Sequence, residues 1–315
     1  MKKSLFLLLT LFSILGYSQT QIAIKSFNKE EVTINSLIKG SLYSPLKQNK
    51  KTNLVILVAG SGPTDRDGNQ KGLINNSLKY LSEELTKNDI AVFSYDKRIL
   101  EQMKSGTVNE ITLTFDNFIT DATTALLFFK NQKKYNKIII AGHSEGSLIG
   151  MIAANGKADA FISLAGAGRT IDDVIVEQIT KQAPSLKEEV ENNFVILKTG
   201  KTFELKNPML ASIFRKSVQP YMISWIKYNP QLEITKLKIP VLIINGTKDL
   251  QVSVEDAALL KKAKPEAELV LIENMNHVFK EIKGDNTENR NSYSNSDLPI
   301  SKGLPNSIIT FVKSL

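Results

Sequence analysis

The sequence predicts an α/β fold, a mostly parallel central sheet flanked by helices, with a helical insertion placed before the last strands. Three observations carry that prediction. Short runs that are apolar at nearly every residue recur along the chain, they alternate with stretches of helical period, and one long segment lacks strand-like text altogether. Strands that are apolar throughout are buried on both faces, and strands separated by helices run parallel. With 315 residues, 42% of them hydrophobic, the chain is long enough for one large domain with a substantial core.

Taken in order, the N-terminus has Lys2 and Lys3, an apolar run over 5–15, then Gly16, Tyr17 and Ser18. This is the form of a secretory signal peptide, expected over residues 1–18. The apolar run falls far short of the ~20 residues that span a bilayer. The mature chain is therefore expected to be secreted or periplasmic, with no stable membrane span after signal cleavage. The absence of cysteine excludes a lipid-attached bacterial lipoprotein, disulfides and thiolate metal sites.

Over 22–46 the text is β-like: Val32 and Ile34 alternate with polar residues, and 37–43 gives a second candidate strand before Pro45. This predicts an antiparallel lead-in to a larger sheet. Four apolar runs follow at 54–59, 90–95, 137–141 and 160–164, separated by helical patterns such as 73–85 and 115–129. Strand, helix, strand and helix then follow at 240–245, 254–263, 268–272 and 307–312.

Between the two parts, 170–237 reads as charged helices carrying Phe194, Phe203, Phe214, Tyr221, Trp225 and Tyr228. It is expected to cap the sheet, its aromatics serving mainly in packing rather than as acyl-pocket walls. The segment 286–297, rich in Asn, Ser, Asp and Glu, is expected to be a mobile loop.

Gly142-His143-Ser144-Glu145-Gly146 stands directly after an apolar strand and before a Gly-bearing apolar run. In that context G-x-S-x-G presents a serine on a tight strand-to-helix turn, near backbone N–H groups that favour developing negative charge. Such a serine needs a base, and the chain has two histidines. His143, in the turn itself, is expected to point away and be structural, leaving His277, after the strand at 268–272, as the base. Asp249, after the strand at 240–245, is the acid that would orient it. Asp172 and Asp173 are rivals, while Asp256 is expected to face solvent from a helix.

Two oxyanion donors are expected, the backbone N–H groups of Ser61 and Glu145. The charged turn over 64–69, beyond Gly60-Ser61-Gly62-Pro63, is expected to pair internally and shape that loop rather than contact substrate.

These residues resemble the α/β-hydrolase superfamily, in particular secreted bacterial serine hydrolases and esterases with G-S-G-P, G-H-S-E-G and a late N-H, here Asn276 and His277. The resemblance covers nearly the whole mature chain. It implies cofactor-free hydrolysis through an acyl-enzyme, with Ser144, Asp249 and His277 matching the triad and Ser61 and Glu145 the oxyanion donors. Ala59 replaces a frequent histidine, and Ile99 replaces a frequent glycine after Asp96-Lys97-Arg98; neither change removes a catalytic group.

The expected substrate is a small-molecule carboxylic ester. An aminopeptidase or amidase of the same fold, or a non-catalytic ligand-binding module, are the alternatives. The net charge of +8, or +6 without Lys2 and Lys3, is spread in isolated pairs such as Lys133 and Lys134, so no nucleic-acid partner is expected.

Overall fold

The computed structural model describes residues 26–315, and the predicted signal peptide lies outside them. The chain runs β1 (Phe27–Thr33), β2 (Lys39–Pro45), β3 (Leu54–Val58), α1 (Ser77–Lys87), β4 (Ala91–Tyr95), α2 (Arg98–Ser105), α3 (Phe115–Gln132), β5 (Ile138–His143), α4 (Glu145–Ala154) and β6 (Ala160–Leu164). Five helices follow: α5 (Ile171–Gln182), α6 (Lys187–Lys198), α7 (Ala211–Phe214), α8 (Gln219–Ile226) and α9 (Pro230–Thr235). The chain closes with β7 (Val241–Gly246), α10 (Val254–Ala263), β8 (Glu268–Ile272), α11 (Asn286–Ser292) and α12 (Gly303–Ser314).

The strands form one sheet in the order β1-β2-β4-β3-β5-β6-β7-β8. β1 and β2 are antiparallel, and β2 joins β4 antiparallel, as the lead-in predicted. Every later pairing is parallel.

Alternation along each strand explains why the runs are apolar throughout. Ile56, Val58, Phe93, Ile140 and Phe161 enter one core layer, with Phe115 and Leu126 of α3 and Ile149 of α4. Val55, Leu57, Val92, Ile139 and Ile162 enter the opposite layer, with Leu81 of α1 and Ile308 of α12. Full burial of each such side chain contributes about 1.5–3 kcal/mol.

The segment 170–237 is helical with short 3₁₀ turns and holds no strand among the described residues. It has a small core of its own, including Val190, Phe194, Leu197 and Phe214. Phe194 meets Phe214 edge-on at 4.9 Å, while Trp225 stacks on Phe115 of α3 at 5.2 Å. Three aromatics, Phe194, Phe203 and Phe214, therefore pack within the helices. Tyr221 and Trp225 also reach the central cavity.

Three sequence expectations are corrected. Residues 286–292 form α11 rather than a mobile loop, because Asp285 caps its N-terminus by accepting from the N–H groups of Thr287 and Glu288. The polar composition is used inward, since Asn289 and Ser292 are buried. Asp256 does not face solvent: it is fully buried and bonds Arg169 twice, at 2.9 and 2.7 Å. The helical pattern from 73 yields a helix only from Ser77, because the Asn69 side-chain oxygen, Oδ1, accepts from the N–H groups of Asn75 and Asn76 and holds them in a loop.

Candidate active site

The parallel strands β3, β5, β7 and β8 end at one edge of the sheet, and Ser61, Ser144, Asp249 and His277 lie in the connections that leave that edge. Between β5 and α4 the backbone must reverse within one residue. Ser144 does this at φ 54°, ψ −121°, a conformation that costs a non-glycine residue on the order of 1–3 kcal/mol. Neighbouring glycines are required by contact: a Cβ on Gly142 would lie 2.0 Å from the Gly146 carbonyl, and one on Gly146 2.3 Å from that of Val58. The Ser144 N–H donates to the Leu164 carbonyl at 2.9 Å, tying the turn to β6.

Asp249 and His277 meet. His277 Nδ1 lies 2.8 Å from Asp249 Oδ2, and both side chains are almost wholly buried. The other Asp249 oxygen accepts from the N–H groups of Gln251 and Val252 at 2.8 and 2.9 Å. The carboxylate is thus held on both sides. The rival acids are engaged elsewhere: Asp172 with Lys198, Asp173 with Thr170 and Asp256 with Arg169.

His143 joins the pair to the turn between β5 and α4. Its Nε2 is 2.9 Å from the His277 carbonyl, and its ring centroid is 4.8 Å from those of His277 and Phe279. Burial, and then the nearby His277, depress its pKa to about 3. The ring is therefore neutral, and because a carbonyl only accepts, Nε2 carries the proton. No hydrogen bond joins Ser144 Oγ to His277 among the described residues; such contacts often tighten only with substrate bound.

α11 supports both partners. Asn276, preceding the histidine, donates to Asn289 and Ser292 at 2.9 and 2.7 Å, and Asn289 donates to the Lys248 carbonyl, preceding the acid, at 2.7 Å.

The loop after β3 closes over the serine. A Cβ on Gly60 would lie 3.3 Å from both Ser144 Cβ and His143 Nδ1, tighter than ordinary van der Waals contact, so a side chain there would crowd the serine. The N–H groups of Ser61 and Glu145 have no partner among the described residues. Within the following turn Asp65 Oδ1 accepts from the N–H groups of Asp67 and Asn69 at 2.9 and 2.8 Å, the internal pairing expected, while Arg66 bonds outward, to Asp96 in bidentate fashion at 3.1 and 2.8 Å and to Glu31.

The roles of two side chains at the site, Lys97 and Tyr221, were missed in sequence. Lys97, just after β4, donates to the Gly60 carbonyl at 3.0 Å and to Glu145 Oε2 at 2.5 Å. The Tyr221 hydroxyl donates to the other Glu145 oxygen, and burial, then the Glu145 charge, raise its pKa well above the ordinary value. The available signal was a lysine at the end of a buried strand.

A cavity of about 620 Å³ opens between this edge and the helices over 171–235, lined by Ser61, Ser144, Leu148, Val174, Tyr221 and Trp225 among others. His277 and Asp249 are not part of its lining.

The BD-FAE family model matches residues 41–263. The chain belongs to the BD-FAE family. The matched stretch includes Ser61, Ser144, Glu145 and Asp249 and stops before His277. Esterase EstD of Thermotoga maritima is 27% identical over 269 residues, covering 84% of this chain and 63% of that protein. The chain thus spans somewhat less than two thirds of its curated relative.

Among solved structures, Est1E from Butyrivibrio proteoclasticus superposes with a TM-score of 0.58 at 18% identity, covering 91% of this chain and 98% of that one. The Pyrococcus furiosus esterase Pf2001 gives 0.51 at 17% identity, covering 84% and 88%. At such identities the likeness is one of fold, and the fold is that of the α/β-hydrolases, as the sequence predicted.

Proposed function

We propose that the protein is a serine hydrolase that cleaves carboxylic esters through an acyl-enzyme. The observation that carries this reading is the buried Asp249–His277 pair, tied through His143 to the turn that presents Ser144 at a strained positive φ. With Nδ1 committed to Asp249, His277 has Nε2 free to take the Ser144 proton as Oγ attacks the ester carbonyl. The N–H groups of Ser61 and Glu145 would receive the negative oxygen. His277 then protonates the departing alcohol, and water repeats the sequence to release the acid.

Apolar walls favour an ester with an apolar acyl or alcohol part. The relatives named as esterases, EstD and Pf2001, support the same reaction class. An aminopeptidase would need an acid available to an amino terminus. The two carboxylates lining the cavity, Glu110 and Glu145, are instead paired with Arg215 and Lys97. The Lys-apolar-small pattern over 1–18 supports export to the periplasm or medium.

The test is turnover of p-nitrophenyl esters from acetate to octanoate beside aminoacyl p-nitroanilides. Ester hydrolysis that falls more than about 10⁴-fold in Ser144→Ala is expected. Cleavage of the anilides alone, or of neither series, contradicts the reading.

A further inference from the structure

The two expected oxyanion donors come from separate parts of the chain, and one buried ammonium touches both. The Gly60 carbonyl and the Ser61 N–H belong to a single peptide group, planar and trans, so fixing the oxygen fixes the direction of the N–H. Lys97 Nζ donates to that oxygen at 3.0 Å. Its second bond, at 2.5 Å, is to the side chain of Glu145, whose own N–H is the other donor.

We propose that Lys97 is a positioning residue of the oxyanion hole, holding the Ser61 and Glu145 N–H groups at one spacing and polarising the first of them. This rests on the reading of Ser144 as the acylated residue.

The surroundings hold the ammonium itself in place. Lys97 and Glu145 are 4% and 5% exposed, and the ammonium lies 4.3 Å from the centroid of the Phe118 ring. The Lys97 N–H donates to the Thr64 carbonyl at 3.2 Å, on the same loop as Gly60. A positive charge on a peptide oxygen draws electron density from the amide and makes its N–H a stronger donor, the polarisation seen along hydrogen-bond chains. A buried ion pair is weak support for stability, since packed apolar groups commonly do as well. The geometry here does something packing could not: it ties a loop after β3 to the first turn of α4 at the point where charge develops in the reaction.

The experiment compares wild type, Glu145→Gln, and the double variant Lys97→Met with Glu145→Gln, which leaves no charge buried alone. Each is measured for kcat and KM on p-nitrophenyl butyrate, for inhibition by butylboronic acid, and for thermal midpoint. The boronate adduct on Ser144 is tetrahedral and sets an oxygen where the oxyanion would lie.

The double variant is expected to lose about 10- to 100-fold in kcat, at or below the cost of removing an oxyanion donor. KM should stay within about threefold, boronate affinity should fall by the same factor as kcat, and Glu145→Gln, which keeps the bond to Gly60, should lose less. A loss that follows KM or the thermal midpoint instead of boronate affinity overturns the proposal, as does an unchanged kcat. If wild type shows no Ser144-dependent turnover, the functional reading falls and this inference falls with it; normal turnover in the double variant overturns this inference alone.

Discussion

Asp249 uses its two oxygens for different tasks, one held by backbone N–H groups and one facing the imidazole. Asparagine would keep the shape but offer an amide donor to Nδ1, favouring the tautomer with the proton on Nε2, which cannot act as base. Asp249→Asn is therefore expected to lower kcat by about 10⁴-fold with little change in unfolding midpoint, read from steady-state rates and thermal melts together.

His143 sets a pH dependence of stability. Its pKa is about 3 in the folded chain against an ordinary 6.5, so between these values the unfolded state binds a proton that the native state refuses. Stability is then lost as pH falls from 6.5 toward 3, with a slope of at most ~1.4 kcal/mol per unit from this group, and is unaffected by it above 6.5. His143→Gln, which retains a donor for the His277 carbonyl, should lose less stability than wild type between pH 7 and pH 5. Urea midpoints at the two pH values check this.

At the scale of elements, the turn between β5 and α4 depends on close approach. A methyl group on Gly146 would sit 2.3 Å from the Val58 carbonyl and 2.5 Å from that of Ala59, so α4 would have to move away from β3. Gly146→Ala is expected to cost about 3 kcal/mol or more and to abolish ester turnover even in the folded fraction, measured by urea unfolding beside activity.

The strands were legible because burial on both faces leaves an unbroken apolar run, and G-x-S-x-G was legible because its glycines answer to close contacts, Gly142 with Gly146 and Gly146 with the end of β3. α11 was not. Its Asn and Ser side chains look like solvent-facing loop text, yet they bond Asn276 and Lys248 from inside. Asp256 was misjudged for a related reason: helical period does not reveal that Arg169, far away in sequence, pairs with it. Lys97 was legible only as part of Asp96-Lys97-Arg98, because a charged tripeptide after a strand does not reveal which distant loop its ammonium reaches.

Across the whole molecule, the site exists only as an assembly. Ser61 follows β3, Ser144 follows β5, Asp249 follows β7 and His277 follows β8, and it is the strand order that brings their ends to one edge. Chain order and type of these residues could be read in sequence; which acid reached the histidine, and what held the two donor loops together, needed the packing.

This assembly serves to activate Ser144 as a nucleophile, as proposed above. The direct measurement is labelling by a fluorophosphonate probe, with the modified residue located by peptide mass analysis. Native wild type is predicted to be labelled at Ser144 alone, while Ser144→Ala and urea-unfolded wild type remain unlabelled. Equal labelling of wild type and Ser144→Ala, or labelling of wild type that survives unfolding, would contradict it.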